Sequence, residues 1–350
     1  MALSKLAPFS WLFKVIGTNN HSHAPPERTK ATTVLPLARP AFEDLPLRRG
    51  DPKGSAWGLW GTNDELGSLH LITGDVVRAA AMEVILGKAV NLNLPLHVPL
   101  KPMNPRRKPC AHTLIAKGHA NDDELDFNTQ SSSHWDGLRH YPYSATKQFY
   151  NGTTQDEISS TDKIGIQNIA ENPIITRGVL LDWYSYALRN NLPHAPFSNQ
   201  AIPLDQLLEV AREQHVTFRR GDILLIRTGW TAAYTKLSDE EKERLGGRDD
   251  RASCGVEATA ESIRWHWEQQ FAAVASDTVA YEVWPSPKLW GVCMHEVLLS
   301  GWGMPIGECW DLEELSTRCK ELKRWSFMLT SQPLNLAGGV ASPPNAIAVF

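Results

Sequence analysis

Four consecutive apolar residues, Ile223 to Ile226, are the clearest structural signal in this chain. No polar residue interrupts the run, and a turn at Gly229 ends it, so the corresponding strand is expected to be buried on both faces. An amphipathic helix is predicted directly before it, over 203–215, where leucines recur on one side. Strands that are apolar on both faces are typical of sheets covered by helices on both sides. The run therefore predicts an α/β fold.

Other segments alternate between helical and strand patterns. Apolar residues from Val76 to Ile85 follow helical spacing between a cap at Thr73 and a stop at Gly87. The remaining predicted helices are 256–267 and 311–325, and the other predicted strands are 89–94, 177–182 and 272–276. The charged segment 236–254 breaks this pattern and is predicted to be an exposed loop or lid. The alternation predicts a central sheet covered on both faces.

Polar residues follow the ends of three predicted strands. They are Asp182, the pair Arg227 and Thr228, and Asp277. In open α/β sheets, ligands bind beyond the carboxyl ends of the strands. We therefore expect these residues to meet a ligand.

Composition and charge narrow the classes of partner. The chain has 350 residues and a formal net charge of −4, so neither nucleic acid nor an anionic membrane is an expected partner. Five cysteines without a CxxC pair favour reduced thiols and a cytoplasmic protein. Because the sequence has no Gly-rich phosphate loop, no nucleotide or other organic cofactor is expected. Residues 1–40 are predicted to be a flexible arm and 41–350 a single domain.

Residues 130–140 hold the side chains best suited to chemistry. Two imidazoles and a carboxylate, His134, Asp136 and His140, follow the amide of Gln130. Side chains alternate faces in an extended segment, so these three can point the same way. Imidazole and carboxylate are good ligands for Zn²⁺, Mn²⁺ or Fe²⁺. The alternative interpretation is a polar loop whose histidines bond backbone groups.

A metal site in this segment needs further ligands from elsewhere in the chain. His295 and Glu308 are the best candidates, because the Gly- and Pro-rich stretch between them allows the chain to double back. His295 does not begin an HExxH zinc motif, since leucine replaces the second histidine. His112 and His119 flank a short strand pattern and are alternative ligands.

Aromatic residues suggest what the site binds. The chain has thirteen tryptophans, several of them beside the candidate polar residues, which predicts an aromatic pocket. The residues predicted to contact a small-molecule substrate are Trp135, Arg139, Tyr143, Trp284 and Trp302. The simpler alternative for any one tryptophan is core filling.

The segment 130–140 resembles a divergent copy of the HxGTHxDxPxH motif of the cyclase family, which includes bacterial kynurenine formamidases and isatin hydrolases. Further landmarks follow in order from about residue 55 to 335: Trp57-Gly-Leu-Trp-Gly-Thr-Asn-Asp-Glu-Leu-Gly-Ser-Leu, Arg177-Gly-Val-Leu-Leu-Asp, Gly221-Asp-Ile-Leu-Leu-Ile-Arg-Thr-Gly-Trp, Ala275-Ser-Asp-Thr, and His295 through Glu308. The stretch Trp135-Asp-Gly-Leu-Arg-His-Tyr is most similar to a branch common in filamentous fungi and some bacteria.

The resemblance implies a fold, an assembly and a ligand set. The implied fold is a swivelling β/β/α arrangement with a central mixed sheet flanked by helices, in homodimers or homotetramers. The implied metal ligands are, by position, Gln130, His134, Asp136, His295 and Glu308. Gln130 stands where the family has an imidazole, and an amide oxygen is a weaker donor. One divalent ion, Mn²⁺ or Zn²⁺, is therefore expected rather than a dinuclear centre.

These residues predict a metal-dependent hydrolase. The expected substrate is an amide, lactam, ester or lactone of a small aromatic or polyketide-like compound, attacked by a metal-activated water. The predicted catalytic residues are Glu308 and His140, the latter as general base and then acid. The same ligands suit a cyclase or lyase that enolises a secondary metabolite, and a non-catalytic ligand-binding protein is the third alternative. A serine hydrolase is not expected, because no Gly-x-Ser-x-Gly motif is present.

Overall fold

A nine-stranded mixed sheet forms the centre of the computed structural model, which describes residues 39–350. The predicted arm, 1–40, lies outside the described residues except for its last two positions. Residues Pro40–Phe350 form one compact unit. None of the helices in the described range is long and apolar enough to cross a membrane.

The strands of the structure are short. In chain order they are β1 Ala89–Asn91, β2 Ala111–Ala116, β3 Asn121–Asp126, β4 His134–Asp136, β5 Ile174–Leu181, β6 Ala201–Ile202, β7 Ile223–Ile226, β8 Gly255–Val256, β9 Ala273–Ser276, β10 Ile306–Glu308, β11 Ser326–Ser331, β12 Ala341–Ser342 and β13 Ile347–Val349. The order in the central sheet is β1-β13-β11-β5-β7-β9-β10-β4-β12. Strands β5, β7, β9 and β10 run parallel, and the flanking pairs are antiparallel.

Helices connect and cover these strands. They are α1 Gly74–Ala81, α2 Gln155–Ser160, α3 Gln167–Glu171, α4 Trp183–Arg189, α5 Leu204–Glu213, α6 Trp230–Tyr234, α7 Asp239–Gly246, α8 Ala260–Glu268 and α9 Glu313–Leu322. A π-helix spans Glu296–Gly301, and short 3-10 helices span Phe42–Asp44, Gly67–Leu71 and Tyr150–Gly152. The predicted fold class, α/β with a central mixed sheet flanked by helices, is confirmed.

Strand β7 buries both of its faces, as its apolar run predicts. Leu224 and Ile226 belong to a core cluster that includes residues of α4, α5 and α8. Ile223 and Leu225 belong to a second cluster, which includes residues of α9. Neighbouring side chains point to opposite faces of a strand, so one run of apolar residues holds two helical layers on the sheet.

Several predicted elements have different limits in the structure. The helix predicted over 256–267 begins only at Ala260, because Val256 lies in β8. The helix capped by Thr73, whose hydroxyl accepts from the backbone of Val76, ends at Ala81 and not at Ile85. The segment 236–254 is not a continuous loop, because it contains α7. Ser238 begins that helix by forming a reciprocal capping box with Glu241, which stabilises a first turn without an apolar stripe.

The polar residues that follow the parallel strands bond to one another. Asp182 accepts hydrogen bonds from Arg227 at 2.9 Å and Ser316 at 2.6 Å. Asp277 accepts from the backbone nitrogen of Thr228 at 2.6 Å and from its hydroxyl at 2.8 Å. The expectation that these groups meet a ligand is wrong, because their hydrogen-bonding capacity is used inside the edge of the sheet.

Strands β2 and β3 form a hairpin that is exposed along almost its whole length. His112 lies on this hairpin 3.0 Å from Asp123, and His119 lies in its exposed turn. Neither histidine lines the cavity described below. The alternative in which they serve as metal ligands therefore receives no support from the structure.

Candidate active site

Two neighbouring strands place three acid and imidazole groups on one face of the sheet. His134 and Asp136 are two residues apart on β4, so both side chains point the same way. Strand β10 is antiparallel to β4 with Glu308 directly opposite His134. Cross-strand partners lie about 5 Å apart, close enough for both side chains to reach one ion. His134, Asp136 and Glu308 each offer one atom that could ligate a metal ion, and these atoms lie within 4.8 Å of one another.

His295 joins this cluster from the residue before the π-helix Glu296–Gly301. The chain turns back after the helix, and Glu308 Oε1 comes to 3.1 Å from His295 Nε2. The second oxygen of Glu308 lies 3.3 Å from His134 Nε2. The predicted approach of His295 to Glu308 is therefore observed, and Glu308 lies between the two imidazoles.

Hydrogen bonds on the far side of each ring fix which nitrogen faces the cluster. The Nδ1 atom of His134 is 2.7 Å from the carbonyl oxygen of Ser132, to which it donates. The Nδ1 atom of His295 donates to Glu282 Oε1, also at 2.7 Å. In a neutral imidazole with a proton on Nδ1, the Nε2 atom carries a lone pair. When the two rings are neutral, both lone pairs therefore point toward the carboxylates.

Two buried atoms of the cluster have no hydrogen-bond partner among residues 39–350. They are Nε2 of His134 and Oδ2 of Asp136. Both residues are at most 1% exposed. A lone pair and a carboxylate oxygen left unpaired in the interior are costly unless a cation lies between them. Two imidazole nitrogens and two carboxylates form a donor set that fits a divalent ion such as Zn²⁺ or Mn²⁺.

The pKa shifts of these side chains have one cause, which is the attraction between the imidazoles and the carboxylates. Burial alone would lower the pKa of His134, but the carboxylates of Asp136 and Glu308 outweigh it and raise the pKa to about 9. Burial is likewise outweighed at His295, whose pKa rises well above its usual value through Glu282 and Glu308. The surrounding imidazoles lower the pKa of Asp136 below its usual range despite its burial. The cluster therefore favours added positive charge, which a divalent cation supplies.

Gln130 faces the cluster with its amide nitrogen. The Nε2 atom donates to Asp136 Oδ1 at 2.6 Å and lies 3.2 Å from Nδ1 of His140. An amide nitrogen that donates a hydrogen bond is not a metal ligand. The structure thus differs from the prediction that Gln130 ligates through its oxygen, and it shows a donor that orients Asp136.

His140 lies at the edge of the cluster, beside open space. Its Nε2 atom is 3.5 Å from Asp136 Oδ2, and its side chain remains 20% exposed. Burial lowers the pKa of His140, although the charge of Asp136 opposes that shift. A lowered pKa keeps the imidazole neutral near pH 7, which is the form that accepts a proton.

Glu282 is a site residue that the sequence interpretation missed. Its carboxylate is fully buried and accepts from the backbone nitrogens of Met294 and His295, at 3.0 and 2.8 Å, besides the His295 ring. A carboxylate behind a ligating imidazole fixes the tautomer and raises the basicity of the ring. The available signal was a single acid inside the apolar stretch from Val279 to Trp284. A buried charge of that kind needs a partner.

The cluster opens into a cavity of about 340 Å³. This volume is at the small end of the range for small-molecule sites. The residues that line it are Pro99, Met103, Asn104, Arg107, Gln130, Ser131, His134, His140, Tyr141, Arg251, Val279, Ala280, Trp284, His295, Glu308 and Cys309. The cavity therefore brings the polar cluster, an apolar wall and two arginines together.

Trp284 is the predicted substrate-contact residue that the structure places in this cavity. Its ring packs against His295 with 5.9 Å between ring centroids. Trp135 lies on the opposite side of the sheet, because it alternates with His134 and Asp136 along β4. It is fully buried and packs edge-on against Trp310 at 4.8 Å. The prediction that Trp135 contacts substrate is therefore wrong.

Three other predicted contact residues are buried in structural roles. Arg139 donates its guanidinium protons to backbone carbonyls, among them that of Thr161 at 2.8 Å. The Tyr143 hydroxyl donates to the carbonyl of Lys53, and the Trp302 indole donates to the carbonyl of Gly54. None of the three lines the cavity. The prediction is wrong for them, because their polar ends are used to hold the loops of the chain together.

Comparisons with known proteins found a matching family profile and similar solved structures. The family profile described as "Putative cyclase" matches residues 69–283. A crystal structure described as that of a novel cyclase is 30% identical, covers 85% of this chain and 99% of its own, and has a TM-score of 0.74. No protein with a curated description matches the sequence significantly.

More distant solved structures share the fold. Isatin hydrolase A from Ralstonia solanacearum is 18% identical over 75% of this chain and 92% of its own, with a TM-score of 0.54. Isatin hydrolase A from Labrenzia aggregata, bound to benzyl benzoate, is 17% identical over 80% of this chain and 98% of its own, also with a TM-score of 0.54.

Proposed function

This chain belongs to the cyclase family, and on that basis we propose that it is a metal-dependent hydrolase of a carbon–nitrogen or carbon–oxygen acyl bond. The substrate class is a small amide, lactam, ester or lactone with an aromatic or polyketide-like body. The proposed cofactor is one divalent ion, Mn²⁺ or Zn²⁺. The proposed enzyme acts in the cytoplasm as a homodimer or homotetramer.

The proposal rests on the convergence of four side chains that can bind a metal ion. Two of their buried atoms have no hydrogen-bond partner among residues 39–350. His134, Asp136, His295 and Glu308 would hold the ion, since their nitrogen and oxygen atoms face one another at 3.1 to 3.9 Å. When bound, a divalent ion acts as a Lewis acid that polarises a carbonyl and lowers the pKa of water from 15.7 to about 7. Gln130 would keep Asp136 oriented by donating to its other oxygen.

His140 is the proposed general base. It lines the cavity beside the cluster, and its lowered pKa supports a neutral ring at pH 7. It would take a proton from the attacking water and then donate it to the leaving nitrogen or oxygen atom. General acid–base catalysis of this kind contributes about 10²- to 10⁴-fold in rate. Glu308, the other predicted catalytic residue, would contribute as a ligand.

The wall of the cavity supports a flat apolar substrate. Trp284 offers an aromatic face, and Met103 and Val279 add apolar surface. A volume of about 340 Å³ suits a compound of one or two rings. We therefore propose that the substrate stacks on Trp284 while its acyl group reaches the cluster.

The first experiment is the measurement of metal content. Protein purified without chelator is expected to hold about one Mn or Zn per chain, and Asp136→Asn and His134→Gln are expected to lose it. His194→Gln is the matched control, because this half-buried histidine bonds the carbonyl of Thr228 outside the cluster. Metal-free wild-type protein whose melting temperature does not respond to Mn²⁺ or Zn²⁺ would contradict the proposal and favour a ligand-binding protein.

Isotope incorporation separates hydrolysis from cyclase or lyase chemistry. Aromatic formamides, lactams and esters are screened with the metal-loaded protein in ¹⁸O-water. Hydrolysis places the label in the product acid, because water supplies one oxygen of the new carboxylate. Turnover without label would identify enolisation or ring closure instead.

A further inference from the structure

Two arginines from separate segments line the candidate active-site cavity. Arg107 lies between β1 and β2, and Arg251 lies between α7 and β8. Arg107 is held near the cluster of His134, Asp136, His295 and Glu308, since it donates to the backbone carbonyl of Gln130 at 3.1 Å. Arg251 is two residues from Ser253, whose backbone pairs with that of Trp284. Arg107 is therefore held beside Gln130, while Arg251 lies in the segment that pairs with Trp284.

Neither arginine has an acidic partner in the described part of the chain. No carboxylate oxygen of residues 39–350 lies within 4.0 Å of either guanidinium, and Arg251 makes no hydrogen bond to these residues. The nearby Arg248 differs, because it pairs with Asp250 at 2.7 Å. A guanidinium has five donors in a fixed planar arrangement that suits a carboxylate. The two arginines thus leave most of their donors free for a ligand.

The charge of the cavity favours an anionic ligand. A divalent ion would be balanced by the carboxylates of Asp136 and Glu308. The carboxylate of Glu282 behind His295 adds one more negative charge, so Arg107 and Arg251 leave an excess of one positive charge in a small, partly apolar space. An anion that enters such a space gains more from these charges than it would in bulk water.

We propose that Arg107 and Arg251 bind a carboxylate on the substrate that is distinct from the acyl group being hydrolysed. This inference rests on the proposed hydrolase function and narrows its substrate class to compounds with an apolar ring and an anionic end. The ring packs on Trp284, the acyl group faces the metal cluster, and the carboxylate accepts from the two guanidinium groups.

Calorimetric binding to the metal-loaded protein tests the arginines without turnover. The probes are benzene-1,4-dicarboxylate and 4-carbamoylbenzoate, which have the same shape. Each offers one carboxylate to the metal, and the group at the opposite end is a second carboxylate in the first probe and a neutral amide in the second. We expect the dicarboxylate to bind at least about tenfold more tightly, since a guanidinium forms stronger hydrogen bonds with a charged carboxylate than with a neutral amide. A phosphonate analogue, 4-phosphonobenzoate, should bind no better than the dicarboxylate. Preference for the phosphonate would overturn the assignment to carboxylates.

Variants assign the preference to the two arginines. Arg251→Met and Arg107→Met should each reduce the preference for the dicarboxylate toward unity, and Arg251→Lys should retain part of it. Arg106→Met is the matched control, because this exposed neighbour does not line the cavity. Equal affinity of wild type for both probes, or a preference that survives in Arg251→Met, would overturn the inference.

A pair of formamides distinguishes this inference from the proposed function. Wild-type enzyme should hydrolyse 4-formamidobenzoate with a KM about tenfold or more below that of formanilide, and Arg251→Met should remove the difference. Hydrolysis of both compounds with equal KM would refute the arginine site and leave the hydrolase intact. Preferential binding of the dicarboxylate without hydrolysis of any acyl compound would refute the hydrolase and leave the anion site.

Discussion

Replacing Glu282 by glutamine should weaken metal binding without removing a ligand. The carboxylate accepts three hydrogen bonds, from the His295 ring and from the backbone nitrogens of His295 and Met294. Glutamine has the same shape, but only one end of its amide accepts, so its NH₂ group must face a donor. The ring of His295 then loses the charged acceptor that holds its Nε2 lone pair toward the cluster.

The expected loss can be worked out from these contacts. Loss of a carboxylate behind a metal-bound imidazole lowers metal affinity about 10- to 100-fold. That range corresponds to about 1.4–2.7 kcal/mol. In the metal-free protein, the backbone nitrogen of Met294 is left without an acceptor, which should lower the free energy of unfolding by about 1–3 kcal/mol. Metal affinity and stability should therefore both fall, by separately measurable amounts.

Glu296→Gln provides the matched control. Glu296 follows His295 directly and is also buried, but it accepts from the backbones of Ser144 and Cys293 and pairs with Lys288. Its loss should lower stability and leave metal affinity within about twofold of wild type. The assay is competition for Zn²⁺ or Mn²⁺ with a chromophoric chelator, with urea unfolding in parallel. Equal losses of metal affinity in the two variants, or wild-type affinity in Glu282→Gln, would refute the reasoning.

Three further predictions concern catalysis, the pH dependence of stability and the oligomeric state. His140→Gln should keep the metal stoichiometry and lower kcat by about 10²- to 10⁴-fold; loss of metal would make His140 a ligand. Burial lowers the pKa of His266 to about 4. Its stabilising contribution is thus complete above pH 6.5, and about 3 kcal/mol is lost as the pH falls to 4. Urea unfolding of wild type and His266→Gln across this range measures the loss, and parallel pH curves would contradict it. Light scattering should give the mass of a homodimer or homotetramer, and a monomeric mass would refute that proposal.

Local patterns predicted four strands of the central sheet, β1, β5, β7 and β9, but they did not predict β10 to β13. The apolar run of β7 and the cap at Thr73 each determine structure over a few residues, and both were confirmed. The failure at 236–254 has a physical cause. Helix α7 is held by the capping box of Ser238 and by its acidic first turn, and it has no apolar stripe that periodicity could detect.

The alternation of side chains along strand β4 explains one correct prediction and one wrong prediction at the site. It places His134 and Asp136 on one face of β4, as predicted, and for the same reason it turns Trp135 into the core. Sequence proximity suggested that Trp135 meets the substrate, but the alternation of an extended strand already excluded that role. A strand assigned from its pattern therefore constrains every side chain on it, including the aromatic ones.

The sequence alone determined which residue types could bind a cation and which strands would be buried, because both depend on local chemistry and spacing. Only the tertiary structure decided that Glu308 lies opposite His134, that Glu282 supports His295, and that Arg107 and Arg251 share one cavity. The first and the last of these join segments far apart in the chain. Register between such segments is set by the burial of whole strand faces, and no short pattern encodes it.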